Sequence, residues 1–205
     1  MRRPFGGGGG TVDWLIVGLG NPGREHAGTR HNVGFLVADE LAERWQLPSG
    51  KERFRGRLRQ GRPPGPLSDG RRPPAVAILS PQTYMNDAGR SVGPARGALK
   101  VPLDHLLVVH DEIDLPFGQL QLRIGGGLAG HNGLKSIRRG LGSADFGRLR
   151  VGVGRPDSTD PDVVSAWVLS RFSESEDEVS GLVRAAADEV ERAVLGGRAS
   201  EQVSP

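Results

Sequence analysis

No cysteine occurs among the 205 residues, which excludes a disulfide scaffold, a cysteine nucleophile and every thiolate metal site. Aromatic residues are scarce as well, at 5% with a single tyrosine, so cohesion has to come from aliphatic side chains. No apolar run approaches the ~18 residues that a membrane helix requires, and nothing near Met1 resembles a signal-peptide core. The expected address is therefore the cytoplasm, with no membrane involvement. Internal repeats are absent too. What the chain holds in excess is glycine (32) and proline (15), and these call for many loops. Hydrophobic residues at 36% and charged residues at 25% suit a globular body rather than a disordered one. A chain of this length buries roughly 70% of its unfolded surface, enough for a core of its own.

Charge is unevenly spread. Residues 1–155 carry 23 Lys/Arg against 13 Asp/Glu, whereas residues 156–205 carry 4 against 11. A basic body with an acidic end is compatible with a polyanionic partner held on one side, and equally with an arginine-rich composition that happens to finish in an acidic helix.

Residues 1–12, with five consecutive glycines, read as a disordered lead, and residues 199–205 as a tail. Between them, residues 13–198 alternate strand and helix patterns. DWLIVG, AVAILS (75–80) and LLVVH (106–110) have the density of buried strands. FRGRLRQ (54–60) alternates as a half-exposed strand with Arg55, Arg57 and Arg59 on one face, and QLQLRI and RLRVGVG add two further strands. Helices are expected from Val33 to Trp45, after Asn86, at LKSIRRGL, and over the acidic C-terminal stretch SESEDEV onward. This pattern predicts a single α/β domain with a central sheet flanked by helices on both faces.

Gly18-Leu19-Gly20-Asn21-Pro22-Gly23 fits the dinucleotide-binding fingerprint, yet that motif needs a helix to open at once with its N–H groups on a pyrophosphate. Pro22 removes one donor and the helix waits until about Val33. A sharp turn projecting Asn21 is the better reading. His31, on the loop before that helix, can reach the crevice at the strand ends and take a proton at neutral pH. Asp111, just beyond LLVVH, could hold its tautomer. With no cysteine and no serine in a nucleophile-elbow pattern, such a pair points to activated water. Asn21, Asn86 and Asn132 recur at loop sites beside strands and helices. Each alone reads as a turn residue; together they suit recognition of ester and peptide groups and stabilisation of an oxyanion. A metal site from His31, His110, His131 and Asp111 is disfavoured, because no close ligand pair is present and His110 would point away from Asp111 along a strand. The loop GGGLAGHNG offers free N–H groups at a helix start, and Lys135, Arg138, Arg139, Arg123, Arg148 and Arg150 surround it in sequence as a phosphate footprint.

The ordered motifs VGLGNPG, TRHNVGF, YMNDAGRSV, HDEIDLPFG, GGGLAGHNGLKSI and FGRLRVGVGRP resemble the bacterial peptidyl-tRNA hydrolases, over nearly the whole chain from Trp14 onward. The resemblance implies a monomeric α/β domain with a twisted, mostly parallel mixed sheet and no cofactor, cleaving the ester between a peptide and the 3′ end of tRNA. It implies that His31 is the base, that Asp111 orients it, and that Asn21 helps to distinguish a peptidyl substrate from a free aminoacyl one. It further implies that Tyr84, Met85, Asn86 and Asn132 line the substrate and tRNA-end site, and that Arg123 and Arg150 face the tRNA backbone. His26 stands where the family usually has tyrosine, beside the tRNA end, and Ala129 replaces a customary glycine. The competing expectation is a non-catalytic RNA-binding relative of the same fold.

Overall fold

The computed structural model describes residues 12–196. Residues 1–11 of the expected lead and residues 197–205, with the expected tail, lie outside the described residues, whereas Val12 is buried in the core. Seven strands make one sheet: β1 (Trp14–Gly18), β2 (Lys51–Arg53), β3 (Gly56–Gly61), β4 (Val76–Pro81), β5 (Leu106–Glu112), β6 (Leu120–Ile124) and β7 (Gly147–Gly152). The helices are α1 (Val33–Arg44), α2 (Gly89–Leu99), α3 (Asn132–Leu141), α4 (Pro161–Leu169) and α5 (Glu176–Leu195). Strand order is β2-β3-β4-β1-β5-β7-β6. The central four, β4, β1, β5 and β7, run parallel, and the flanking pairings are antiparallel.

β1, β4 and β5 are buried almost throughout because both faces of the sheet are covered, which is why they read as continuous apolar runs. The two-residue period of the strands sorts them into two cores. Ile16, Ile78, Leu107 and Val109 pack with α1 and α5; Leu15, Val17, Leu79 and Val108 pack with α2 and α3. The second layer depends on a close helix crossing. A Cβ at Gly89 would lie 2.1 Å from the Ser136 carbonyl oxygen, and the Gly89 N–H donates to Ser136 Oγ at 2.9 Å. α5 opens on a capping box in which Ser175 and Glu178 exchange hydrogen bonds.

Four features differ from the sequence pattern. The short edge strand β2 has no counterpart in it. The strand expected over residues 54–60 begins at Gly56, because Phe54 and Arg55 both take positive φ (54° and 53°) and reverse the chain between β2 and β3. Neither residue is the glycine or asparagine that announces such a turn. α4 has no counterpart in the sequence reading; it starts at an Asp160 cap followed by Pro161. β5 continues past His110 through Asp111 and Glu112, which pair with Val151 and Gly152 of β7.

That extension carries titratable groups into the interior. His110 is fully buried; its Nδ1–H donates to the Asp111 carbonyl at 2.7 Å. Burial, with His131 beside it, pushes the His110 pKa from 6.5 down to about 3. The unfolded chain binds this proton near pH 6.5 while the native chain refuses it until about pH 3, so stability falls as pH drops through that window. Native protein should lose about 2 kcal/mol between pH 7.5 and 5.0 from this group. His110→Asn, which keeps a donor for the carbonyl and does not titrate, should flatten that slope in urea-unfolding midpoints. Equal slopes in the two proteins would place the acid sensitivity elsewhere.

Candidate active site

Strand order reverses across β1, so β4 and β5 flank it and a crevice opens at the carboxyl ends of these strands, where open α/β sheets bind ligands. Four segments meet there: the loop after β1, the loop after β4, the end of β5 and the start of α3.

His31 sits in the single 3-10 turn Arg30–Asn32 that leads into α1. Its Nδ1 lies 2.8 Å from Asp111 Oδ1, and His131 Nε2 lies 3.0 Å from the same oxygen. The two rings are 5.1 Å apart. His131 also caps α3: its Nδ1 accepts from the N–H groups of Gly133 (3.1 Å) and Leu134 (3.4 Å). The hydrogen-bond network therefore assigns the protons. His131 keeps its lone pair on Nδ1 and donates through Nε2–H; His31 donates through Nδ1–H, which leaves Nε2 as an unprotonated base. Asp111 is 3% exposed. Burial works to raise its pKa, but His31 and His131 outweigh that and hold the carboxyl well below the usual carboxylate range.

His31, Asp111 and His131 bring their ligand-type atoms within 4.8 Å of one another. This set is spent on itself. Both nitrogens facing the carboxylate carry protons, and the remaining nitrogen of His131 is held by the α3 amides, so the lone pairs do not converge on a common point. His110, weighed with these three as a ligand, turns its ring edge to His131 at 4.9 Å.

Asn21 is buried and clamped on three sides. Its N–H donates to Asn32 Oδ1 and its carbonyl accepts from Asn32 Nδ2, each at 2.9 Å, while its own Oδ1 accepts the Met85 N–H at 2.8 Å. The amide's oxygen is thus committed, and the NH₂ group is the part left for a ligand. Met85 is buried, and a Cβ at Gly133 would fall 2.5 Å from its Sδ, so the β4 loop and the start of α3 are in direct contact. Asn86 and Asn132 are exposed at the crevice, and among the described residues their side-chain amides have no hydrogen-bond partner within the protein. Tyr84 is 64% exposed beside them.

Among the described residues, the other expected site residues make no hydrogen bond to this cluster. His26 is half-buried next to Glu25 at 3.9 Å. Arg123 is exposed on edge strand β6. Arg150 is turned inward: its Nε donates to Glu112 at 2.8 Å and its guanidinium also bonds Gln121. Two contributors escaped the sequence reading. Asn32 holds Asn21. Arg30, 1% exposed, anchors the His31 loop by donating to Ser170 (2.8 Å), Ser173 (2.9 Å) and the Arg171 carbonyl, with its guanidinium 3.8 Å from the Trp167 ring centroid. Adjacency to His31 in sequence is the available signal for both. The sequence offers His131 only as a metal ligand; its contact to Asp111 comes from the tertiary structure.

The comparisons with known proteins agree with this geometry. A family model described as peptidyl-tRNA hydrolase matches residues 15–204. A peptidyl-tRNA hydrolase from Kineococcus radiotolerans is 46% identical, over 90% of this chain and 92% of its own length. One from Bdellovibrio bacteriovorus is 44% identical, over 90% and 94%. The crystal structure of peptidyl-tRNA hydrolase from Acinetobacter baumannii superposes with a TM-score of 0.76 at 36% identity, covering 91% of this chain and 90% of that one. With its parallel-centred sheet, its His–Asp–His cluster and these relatives, the chain belongs to the peptidyl-tRNA hydrolase family.

Proposed function

We propose that this chain hydrolyses the ester between a peptide and the 3′ end of tRNA, with His31 Nε2 taking a proton from the attacking water. The observation that supports His31 as the base is the shared Asp111 oxygen, which engages His31 Nδ1 and leaves Nε2 for the water. As water adds to the ester carbonyl, His31 becomes an imidazolium whose Nδ1–H already points at a buried anion 2.8 Å away. The NH₂ groups of Asn21 and Asn132 stabilise the oxyanion. Collapse of the intermediate breaks the bond to the 3′ oxygen, which recovers the proton from His31 as tRNA leaves.

His131 and Asn32 are positioning residues in this scheme: one fixes the Asp111 carboxylate, the other fixes Asn21. The preference for a blocked substrate follows from the charges. The charge of Asp111 is already met by two imidazoles and that of Glu112 by Arg150, so neither offers an uncompensated anion to an α-ammonium, while uncharged amides can pair with a peptide bond. Tyr84, Met85, Asn86 and His26 border the tRNA end, and Arg123 with Lys135 and Arg138 faces its backbone. Arg150 acts here by holding Glu112. The reaction runs in the cytoplasm and is performed by a monomer; among the described residues no helix is long and apolar enough to cross a membrane.

Release of an N-acetylated aminoacyl group from tRNA should proceed with native protein and fall by about 10²–10⁴-fold in kcat for His31→Ala. The unblocked aminoacyl-tRNA should be a poor substrate throughout. Asp111→Asn should lower kcat steeply while tRNA affinity stays within about twofold, since it disturbs the tautomer of His31 rather than tRNA contacts. No cleavage by native protein, together with salt-sensitive tRNA binding, would favour the non-catalytic RNA-binding reading.

A further inference from the structure

We propose that the cavity beneath the 21–28 loop is a second subsite of the substrate cleft, shaped for the nucleotide that precedes the terminal adenosine of tRNA. This rests on the hydrolase reading above and extends it to the side of the Asn21–Asn32 pair away from His31.

The cavity measures about 370 Å³ and shares Asn21 and Asn32 with the reaction centre, a size within the roughly 300–1,000 Å³ of ligand pockets. One wall is apolar, from Pro22, Ala27, Phe35 and Leu36. The Phe35 ring lies over Gly20, where a Cβ would come within 2.7 Å of it; the missing side chain lets an aromatic ring close this wall, and aromatic rings are general platforms for bases.

The opposite wall is polar and unsatisfied. Ser80 on β4 is 4% exposed, yet its Oγ has no hydrogen-bond partner, a condition that native interiors seldom tolerate without a role. Gln82 makes one long contact, 3.4 Å, to the Ser80 carbonyl, so much of its amide is available. Arg57 is the register partner of Ser80 across β3 and β4, so both emerge on the α1 side of the sheet. Arg57 and Arg24 line the cavity as exposed side chains, and among the described residues neither has an ion-pair partner. The one carboxylate in the lining, Asp39, is already met by Arg59 at 2.7 Å.

A hydroxyl without a partner, an amide with one long contact, an aromatic wall and two unpaired guanidinium groups suit a base carrying a phosphate. They suit an apolar or cationic peptide side chain poorly. Contiguity with Asn21 places this nucleotide next to the one that bears the ester.

Two ester substrates test the idea: an N-acetylaminoacyl ester of adenosine, and the same ester on cytidylyl-adenosine. Native protein should cleave the dinucleotide ester with kcat/KM about tenfold higher, the scale of one charge-assisted contact. Arg57→Ala and Ser80→Val should each remove that advantage and leave the adenosine ester unchanged. Cytidine 5′-monophosphate should shift the amide resonances of Phe35, Ser80 and Gln82 saturably in native protein and fail to do so in Ser80→Val. No advantage for the dinucleotide, an equal loss on both esters, or a loss that tracks peptide length instead would each overturn the subsite. Failure of native protein to cleave even full-length N-blocked aminoacyl-tRNA would overturn the hydrolase reading itself, whereas the nucleotide titration would still report on the cavity.

Discussion

One carboxylate oxygen, Asp111 Oδ1, accepts from two imidazoles at 2.8 and 3.0 Å, and much of the architecture serves to bring those donors together. A carboxylate with 3% exposure would cost several kcal/mol to bury unpaired. The donors come from opposite layers: His31 from the loop that enters α1, and His131 from the cap of α3. The oxygen therefore joins the two helical layers at the edge of the sheet where the crevice opens. The same arrangement supports the proposed chemistry, because a donor on each side of the anion leaves His31 Nε2 without a partner in the cluster.

Holding His31 at that point takes a second set of contacts. Asn21 and Asn32 exchange two hydrogen bonds across the loop, Met85 lends its N–H from the β4 loop, and buried Arg30 pins the far side to the segment between α4 and α5. Arg30 is itself covered by Trp167. A segment distant in sequence thus keeps the His31 loop in register, and the loop's rigidity derives from polar contacts that are almost wholly removed from water.

The charge imbalance along the chain is partly consumed inside the fold. Glu174 meets Arg30, while Asp188 and Glu191 of α5 meet Arg44 together with Glu40; hydrogen bonding to Asp188 leads the interactions that raise the Arg44 pKa above its ordinary value. The acidic helix is therefore a structural counterweight to arginines of its own layer. Arginines on β6 and α3, and those around the cavity near Asn21, are left with charge to offer a polyanion.

Local pattern was enough for much of this. Apolar runs in β1, β4 and β5 announce strands buried on both faces, because a sheet covered on both sides excludes water from every residue. Helical spacing in α1 and the acidic start of α5 are equally visible, as is the delayed helix after Gly18–Gly23 that argued against a dinucleotide. His31, Asp111 and the asparagines could be picked out because loops at strand ends are where ligands bind. The hairpin at Phe54–Arg55 and the helix α4 were not legible, since their conformations rest on pairing and burial rather than on turn or periodicity signals. His131 as the second partner of Asp111, Arg150 turned onto Glu112, and Asn32 behind Asn21 are decided by tertiary structure alone. Hydrogen bonds act over about 3 Å and depend on direction, and no spacing along one strand or loop reveals which side chain from another layer arrives within that distance.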